Sequence, residues 1–189
     1  IAGQFNQECG AIAIGGSAGN TGQSYCAVAL GYGAGNIDQN ISAIAIGLSA
    51  GSNTQNFNAI AIGFLAANSN QSQNAIAIGT SAGAETQGVQ SIAIGTNALY
   101  NATRNENTAI GTYAGQHITT GSYNILIGHM VANNMTTGTA NISIGGDNLV
   151  DGLDNQISIG SAYYFNGDGY SQFNSDLGLG LGTEATATY

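Results

Sequence analysis

The stretch Asn74-Ala75-Ile76-Ala77-Ile78-Gly79 decides the fold, because it is one copy of a repeat. Its closing glycine recurs every sixteen residues up to Gly111, and then at spacings of 17, 17 and 15 residues. A fixed period of this length indicates a solenoid or another repeat array. The repeat glycines are Gly15, Gly31, Gly47, Gly63, Gly79, Gly95, Gly111, Gly128, Gly145 and Gly160.

Large and small apolar residues alternate ahead of each repeat glycine. Ile76 and Ile78 fall on one face of the chain, whereas Ala75 and Ala77 fall on the other. Such alternation, rich in β-branched residues, is typical of a β-strand. A sixteen-residue period is too short for a βαβ unit, which takes about thirty residues or more. The sequence therefore predicts an all-β fold, a parallel β-solenoid with one repeat of about sixteen residues per coil.

Two further features of the repeat predict tight turns between two short strands in each coil. The repeat glycine itself is expected to take a positive φ, which glycine adopts without a steric penalty. A second apolar column follows three residues later, and its members are Ala18, Ala34, Ala50, Ala66, Ala82, Ala98 and Ala114.

We expect the larger isoleucines to form the core of the roll and the small alanines to lie on the opposite face. On this hypothesis Ile78→Asp would bury an unpaired charge and break the fold. A core of one or two isoleucine rows is thin, and the outward alanines would let another backbone approach closely. We therefore expect several chains to pack side by side, with a homotrimer as the simplest closed arrangement for a fibre.

A glutamine column lies eight residues before the repeat glycines. In a solenoid each position stacks on its own copies at about 4.8 Å, so a charged column would repel itself and a neutral amide would not. On this view Gln71→Ser should be mild. The column consists of Gln7, Gln23, Gln39, Gln55, Gln71 and Gln87, followed by Thr103, Thr120 and Thr137.

Composition excludes several classes of partner. The chain of 189 residues has a net charge of −9, and Arg104 is its only basic residue. Nucleic-acid binding and polybasic lipid anchoring both need cationic side chains. No apolar run approaches the roughly 20 residues of a membrane span, so we expect no membrane insertion. The sequence lacks an initiator methionine and a signal peptide, and we expect a fragment or a processed chain. Cys9 and Cys26 are expected to be free thiols.

The repeat divides the chain into two parts. Residues 1–160 are predicted to form a β-roll of about ten coils. Residues 161–189 are predicted to hold an aromatic insertion and a degenerate final coil, because residues 179–185 imitate the repeat.

The motif Ala-Ile-Ala-Ile-Gly-x-x-Ala, as at residues 75–82, resembles the head repeat of the YadA-type trimeric adhesins. The resemblance covers residues 11–160 and implies a left-handed parallel β-roll with three chains to a head. The copies at 107–115, 141–149 and 155–161 resemble structural proteins of tailed phages, notably marine cyanophages. There such repeats build tail fibres and other virion appendages. The absence of a neck and of coiled-coil heptads favours a virion fibre over a bacterial adhesin.

The sequence offers few candidates for chemistry. His117 and His129 occupy different registers, which favours surface histidines over a metal pair. Asp147, Asp151 and Asp154 match no defined Ca²⁺ loop, which favours a solvated turn. We find neither a nucleophile beside a base nor a convincing carboxylate pair, so we expect no enzymatic activity, cofactor or metal.

An aromatic segment is the one candidate for receptor binding. Tyr163, Tyr164 and Tyr170 lie near Asp168 and Asp176, a pattern also seen where sugars stack. The alternative is that these rings pack a cap or a subunit junction.

Together these features predict a structural or adhesive segment of an extracellular trimeric fibre, a phage tail fibre or virion appendage used in host attachment. Its expected partners are further copies of itself and a host-surface glycan or protein. One alternative is the head of a bacterial trimeric autotransporter-type adhesin at the cell surface. A second is an ice-binding solenoid, which would need a regular threonine array, whereas threonine recurs only at Thr103, Thr120 and Thr137.

Overall fold

The computed structural model describes residues 1–146 and 149–160, together with the backbone of residues 163–165 and 171–173. The chain winds into a parallel β-solenoid with about sixteen residues per turn, and the described residues contain no helix. The predicted fold class is therefore confirmed. We number the coils by their repeat glycine, so that coil 1 carries Gly15 and coil 10 carries Gly160.

The large sheet stacks one three-residue strand from every coil. Identical repeat positions lie in register, so that Ala61 pairs with Ala77 and Ile62 with Ile78. Ten parallel strands stack along the rod. Neighbouring strands are about 4.8 Å apart, so the nine intervals give a rod roughly 43 Å long. The strands are β1 (Ile12–Ile14), β3 (Val28–Leu30), β5 (Ile44–Ile46), β7 (Ile60–Ile62), β9 (Ile76–Ile78), β10 (Ile92–Ile94), β11 (Thr108–Ile110), β12 (Ile125–Ile127), β13 (Ile142–Ile144) and β14 (Ile157–Ile159).

A small parallel sheet covers only the first half of the rod. Its strands are β2 (Thr21–Gln23), β4 (Ile37–Gln39), β6 (Asn53–Gln55) and β8 (Ser69–Gln71). After β8 the small sheet continues only as an isolated parallel bridge between Gln71 and Gln87.

The large sheet changes direction at its carboxyl end. Strands β15 (Tyr163–Phe165) and β16 (Ser171–Phe173) add to β14 in antiparallel order, with Ile159 paired to Tyr163 and Ile157 to Phe165. The aromatic stretch thus supplies an antiparallel strand between β14 and β16 rather than another parallel coil. The degenerate final coil expected at 179–185 lies outside the described residues.

Tight turns with a positive φ bound the large-sheet strands from β1 to β12. Around β3, the Ala27 amide donates to Ser24 and the Ala34 amide donates to Gly31, at 3.2 and 3.4 Å. The third residues of these turns, Cys26 and Gly33, have φ of 57° and 64°, as a type II turn requires.

Close approach between coils explains the repeat glycine. Gly63 has the expected positive φ, at 132°, and a Cβ there would lie 2.6 Å from the carbonyl oxygen of Gly79. The same contact recurs with small variations from Gly15 to Gly111. Gly145 and Gly160 have smaller φ values of 67° and 57°, and no atom of the described residues lies within 4 Å of the position that a Cβ would take at either one.

Alanines, not isoleucines, form the core of the first half. Ala61 and Ala77 are fully buried, whereas Ile78 is half-buried and Ile14 is 59% exposed. The expectation that isoleucine points inwards was wrong, because a sixteen-residue coil closes around a space that small side chains already fill. The inward columns include Ala29, Ala45, Ala61, Ala77, Ala93 and Ala109 in the strands and Ala34, Ala50, Ala66, Ala82, Ala98 and Ala114 after the glycine.

The glutamine column is also inside. Gln71 is fully buried, and its Nε2 lies 2.8 Å from the carbonyl oxygen of Ile60 and 3.0 Å from Oε1 of Gln87. Gln55 in turn donates to Oε1 of Gln71 at 3.0 Å. Each amide thus links one coil to the next, so the expectation that Gln71→Ser is mild was wrong.

We expect Gln71→Leu to destabilise the chain by about 2–4 kcal/mol, because the amide groups facing it lose their partners in a dry interior. Gln73→Leu is the matched control, since Gln73 is exposed two residues away. Thermal unfolding followed by circular dichroism measures both changes. Equal melting temperatures for the two variants would contradict the role of the glutamine column.

The core changes character after Gln87. Larger buried side chains appear, among them Leu99, Ile118, Leu126 and Met135. A buried asparagine column then links the coils, four residues before the repeat glycine. Oδ1 of Asn124, for example, accepts from the Asn141 amide at 2.9 Å, and Nδ2 of Asn124 donates to Gly138 at 3.0 Å. Sequence reasoning missed this column, although Asn107, Asn124 and Asn141 keep the spacing of the glycines.

Candidate interaction surface

The outward side chains of the large sheet form one continuous apolar strip, which we call the isoleucine face. It has two columns, one and three residues before the repeat glycine, and each of its members is half-buried or exposed. Thr108 is its only polar residue. The face comprises Ile12, Ile14, Val28, Leu30, Ile44, Ile46, Ile60, Ile62, Ile76, Ile78, Ile92, Ile94, Thr108, Ile110, Ile125, Ile127, Ile142, Ile144, Ile157 and Ile159.

No charged residue interrupts this strip. Between residues 9 and 84 the sequence holds a single ionisable acid, Asp38, and it lies on β4 of the small sheet. The net charge of −9 is thus carried elsewhere on the chain. An uncharged apolar strip imposes little desolvation cost on a partner and no repulsion between copies.

In coils 2 to 4 the apolar surface is wider. Large apolar residues occupy the two corners that bound the strand, six residues before and one residue after the repeat glycine. These corner residues, which we call the flank columns, are Tyr25, Ile41 and Phe57 on one side and Tyr32, Leu48 and Phe64 on the other. From coil 5 onwards, polar residues such as Gln73, Thr80 and Thr96 take most of these corners.

The exposed area is large for a soluble monomer. The rings of Tyr25, Tyr32, Phe57 and Phe64 are 52%, 65%, 42% and 47% exposed. At roughly 200 Å² for each aromatic side chain, they alone present on the order of 400 Å². The aliphatic flank residues and the isoleucine face add to this. Patches above a few hundred Å² mark sites of interaction.

The predicted polar candidates are not brought together into a site. His117 and His129 are both exposed, and His129 lies edge-on to Tyr113 with ring centroids 6.4 Å apart. Among the described residues no group of three metal-ligating side chains is found. Asp147 lies outside the described residues.

Asp151 has a structural role that the sequence did not reveal. The hydroxyl of Thr119 donates to the carbonyl of Thr136 at 3.0 Å, and the hydroxyl of Thr136 donates to Asp151 at 2.7 Å. Asp151 also accepts from the amides of Thr136 and Thr137, each at 2.8 Å. Partial burial by itself raises the pKa of Asp151. The hydrogen bonds from Thr136 and Thr137 outweigh it and lower the pKa from 3.8 to about 2.

We expect Asp151 to make the last coils acid-sensitive. Because the pKa is lowered in the folded chain, the stabilisation is complete above about pH 4 and is lost as the pH falls from 3.8 towards 2. Asp151→Asn should speed amide exchange at Thr136 and Thr137 at neutral pH and remove this acid transition. Asp38→Asn, on the small sheet, is the control that should leave both amides unchanged. Unaltered exchange in Asp151→Asn would contradict this role.

The predicted aromatic contact is only partly described. Tyr163 and Tyr164 belong to β15, whose backbone pairs with β14. Their side chains and the whole of Tyr170 lie outside the described residues, so a glycan contact there stays a prediction. The two cysteines are exposed free thiols, as expected, and the Cys26 amide donates to the Cys9 carbonyl at 3.2 Å.

Within the part of the chain that the structure describes, no helix has the length and apolarity needed to cross a bilayer. Comparison with models of protein families, with curated proteins and with solved structures gave no match to this chain.

Proposed function

We propose that this chain is a rigid segment of an extracellular fibre, assembled as a homotrimer through its isoleucine face. The single observation that carries the proposal is an uncharged apolar strip running along a rod, on a chain with a net charge of −9. A soluble chain does not leave such a strip in water without a partner. The strip also replaces the alanine face as the surface of assembly, since the alanines are buried.

The rod geometry supports a mechanical role. Backbone pairing joins each coil to the next, and buried Gln or Asn side chains reinforce most of these junctions, so the rod resists bending. The loops away from the isoleucine face are neutral and recur on each coil. In a trimer they appear on three sides, where weak contacts with a host surface would add through avidity.

The repeats resemble YadA-type head repeats and cyanophage structural proteins. For this reason we propose that the fibre is a phage tail fibre or virion appendage that takes part in host attachment. The head of a bacterial surface adhesin is the alternative. The ice-binding alternative is not favoured, because the outward columns of the large sheet carry isoleucine where a threonine array would be needed.

Assembly is tested first. Light scattering at low micromolar concentration should give three times the chain mass of 18.9 kDa. Because apolar burial drives it, the assembly should persist in high salt. A stable monomer would contradict the proposed assembly.

The biological role needs a separate experiment. Antibodies against this segment should label external fibres of the particle in electron micrographs, and bound antibody should reduce host adsorption. Labelling of a bacterial surface instead would favour the adhesin alternative. Fibres that are labelled while adsorption is unchanged would leave the structural role and remove the attachment role.

A further inference from the structure

We propose that the flank column formed by Tyr25, Ile41 and Phe57 binds a neutral, extended, β-1,4-linked polysaccharide chain that runs along the rod. This inference rests on the proposed attachment role and names its partner by chemical class. The column lies beside the isoleucine face, on the corner six residues before the repeat glycine, and all three side chains are exposed.

The aromatic rings of this column recur on every second coil. Tyr25 lies in coil 2 and Phe57 in coil 4, with Ile41 between them. Two coil intervals separate the rings by about 9.6 Å along the rod. In an extended β-1,4-linked hexose chain each sugar is turned over relative to the one before it. The same apolar C–H face therefore returns at every second sugar, over nearly the same length, and both rings can stack on such faces at once.

A polar column follows the rings, at the next position of each coil. Its members Ser42, Asn58 and Asn74 are exposed, and Nδ2 of Asn58 donates to Oδ1 of Asn74 at 3.2 Å. The backbone amide of Asn58 donates to the Ile41 carbonyl at 3.1 Å, and that of Asn74 donates to the Phe57 carbonyl at 3.0 Å. These bonds hold the polar column in a fixed position against the ring column.

The two columns together match the two kinds of surface on a sugar. A pyranose ring has apolar C–H faces and a rim of hydroxyl groups. When the faces stack on Tyr25 and Phe57, the hydroxyl rim meets amide side chains that both donate and accept hydrogen bonds. Apolar and aromatic contacts with a few placed polar groups are the usual composition of a ligand site.

The distribution of charge favours a neutral sugar over an acidic one. Between residues 9 and 84 the only charged residue is Asp38, which lies on the small sheet. The single basic residue, Arg104, belongs to coil 7, three coils beyond Phe57. An acidic polysaccharide would therefore find no cation beside the rings and would be repelled by the net charge of −9.

The opposite flank column explains why the sugar is assigned to one corner only. Tyr32 and Phe64 have the same spacing of two coils. They are followed by Gly33 and Leu65, neither of which is exposed, so no amide side chain accompanies these rings. Rings without a polar column offer no partners for the sugar hydroxyls, which would lose hydrogen bonds to water on binding.

Isothermal titration calorimetry of the full chain with cellohexaose, a β-1,4-linked glucan, tests the proposed ligand. Maltohexaose contains the same sugars, but its α-1,4 bonds coil the chain, so the same face does not return at this spacing. We expect cellohexaose to bind at least about tenfold more tightly than maltohexaose. Equal affinities, or no binding of cellohexaose at millimolar concentration, would overturn this inference.

Light scattering of the same samples separates this inference from the proposed assembly. A trimer that does not bind cellohexaose would overturn the polysaccharide site and leave the fibre segment intact. A monomer that binds it would overturn the proposed assembly and leave the site.

Ring variants test the residues themselves. Tyr25→Gln/Phe57→Gln introduces the residue that Gln73 supplies at the same corner, so the variant should fold. Loss of both stacking partners should weaken cellohexaose binding at least about tenfold. The matched control is Tyr32→Thr/Phe64→Thr on the opposite corner, where Thr80 and Thr96 show that threonine is accepted. This control should leave the affinity unchanged, and equal losses in the two variants would overturn the assignment to one column.

Asn58→Gly tests the polar column. Glycine adopts the φ of 55° found at Asn58 without strain, and Gly10 occupies the same column in coil 1. The variant should keep the fold, as measured by circular dichroism, and should bind cellohexaose several-fold more weakly. Unchanged affinity would show that the amides take no part in binding and would overturn their role.

Discussion

Ala77→Asp is expected to abolish folding, whereas Ile78→Asp, one residue away, should leave a folded solenoid. Ala77 is fully buried between Ala61 and Ala93, so a carboxylate there would have neither space nor a partner. Burial of an unpaired charge belongs to the few mechanisms that cost more than about 4 kcal/mol. Ile78 is half-buried on the outer face, and its substitution should cost about 1 kcal/mol or less in the isolated chain.

The two variants also separate folding from assembly. Circular dichroism should show the loss of strand signal in Ala77→Asp alone, while light scattering should show weaker association of Ile78→Asp. A carboxylate in the isoleucine face would have to be desolvated on assembly and would meet its own copies there. If Ile78→Asp unfolded and Ala77→Asp did not, the assignment of inner and outer faces would be overturned.

Gly63→Ala is expected to cost at least about 3 kcal/mol, because it combines backbone strain with a collision. The φ of 132° disfavours any residue with a Cβ, and the added atom would lie 2.6 Å from the carbonyl oxygen of Gly79. For a chain of this size the melting temperature should fall by roughly 6–12 °C.

Gly145→Ala is the matched control for this substitution. Gly145 also has a positive φ, at 67°, but within the described part of the chain no atom lies within 4 Å of the position its Cβ would take. The cost should therefore be limited to about 1–2 kcal/mol of left-handed strain. Equal melting temperatures for the two variants would mean that contact between coils does not explain the repeat glycine.

The glycine period was sufficient to predict the solenoid, because repeat length and strand alternation together leave few architectures. It was not sufficient to predict which face is inside. Ile78 and Ala77 obey the alternation equally well, and only the width of the closed coil decides that alanine fits. Hydrophobicity favours the larger residue, whereas packing volume excludes it here.

The same limit explains the two polar columns. The periodicity of Gln71 was visible in the sequence, but its burial depended on the direction of the coil's second strand. The column of Asn107, Asn124 and Asn141 was obscured because its spacing follows the longer coils of the second half. The width of the apolar surface at Tyr32 and Phe64 could be recognised only after the outward columns were known.

The glutamine column also restricts how such a rod can change length in evolution. Each glutamine donates a hydrogen bond to the glutamine sixteen residues later, as at Gln23, Gln39, Gln55 and Gln71. Loss or duplication of sixteen residues in this region would again place glutamine next to glutamine. The length of the rod would change by one coil, about 4.8 Å. Loss of a single residue within a strand would instead turn the inward alanine of that strand outwards, whereas the spacings of 17, 17 and 15 residues after Gly111 show that the turns can absorb one residue. The length of the rod can therefore differ between related chains only by whole coils.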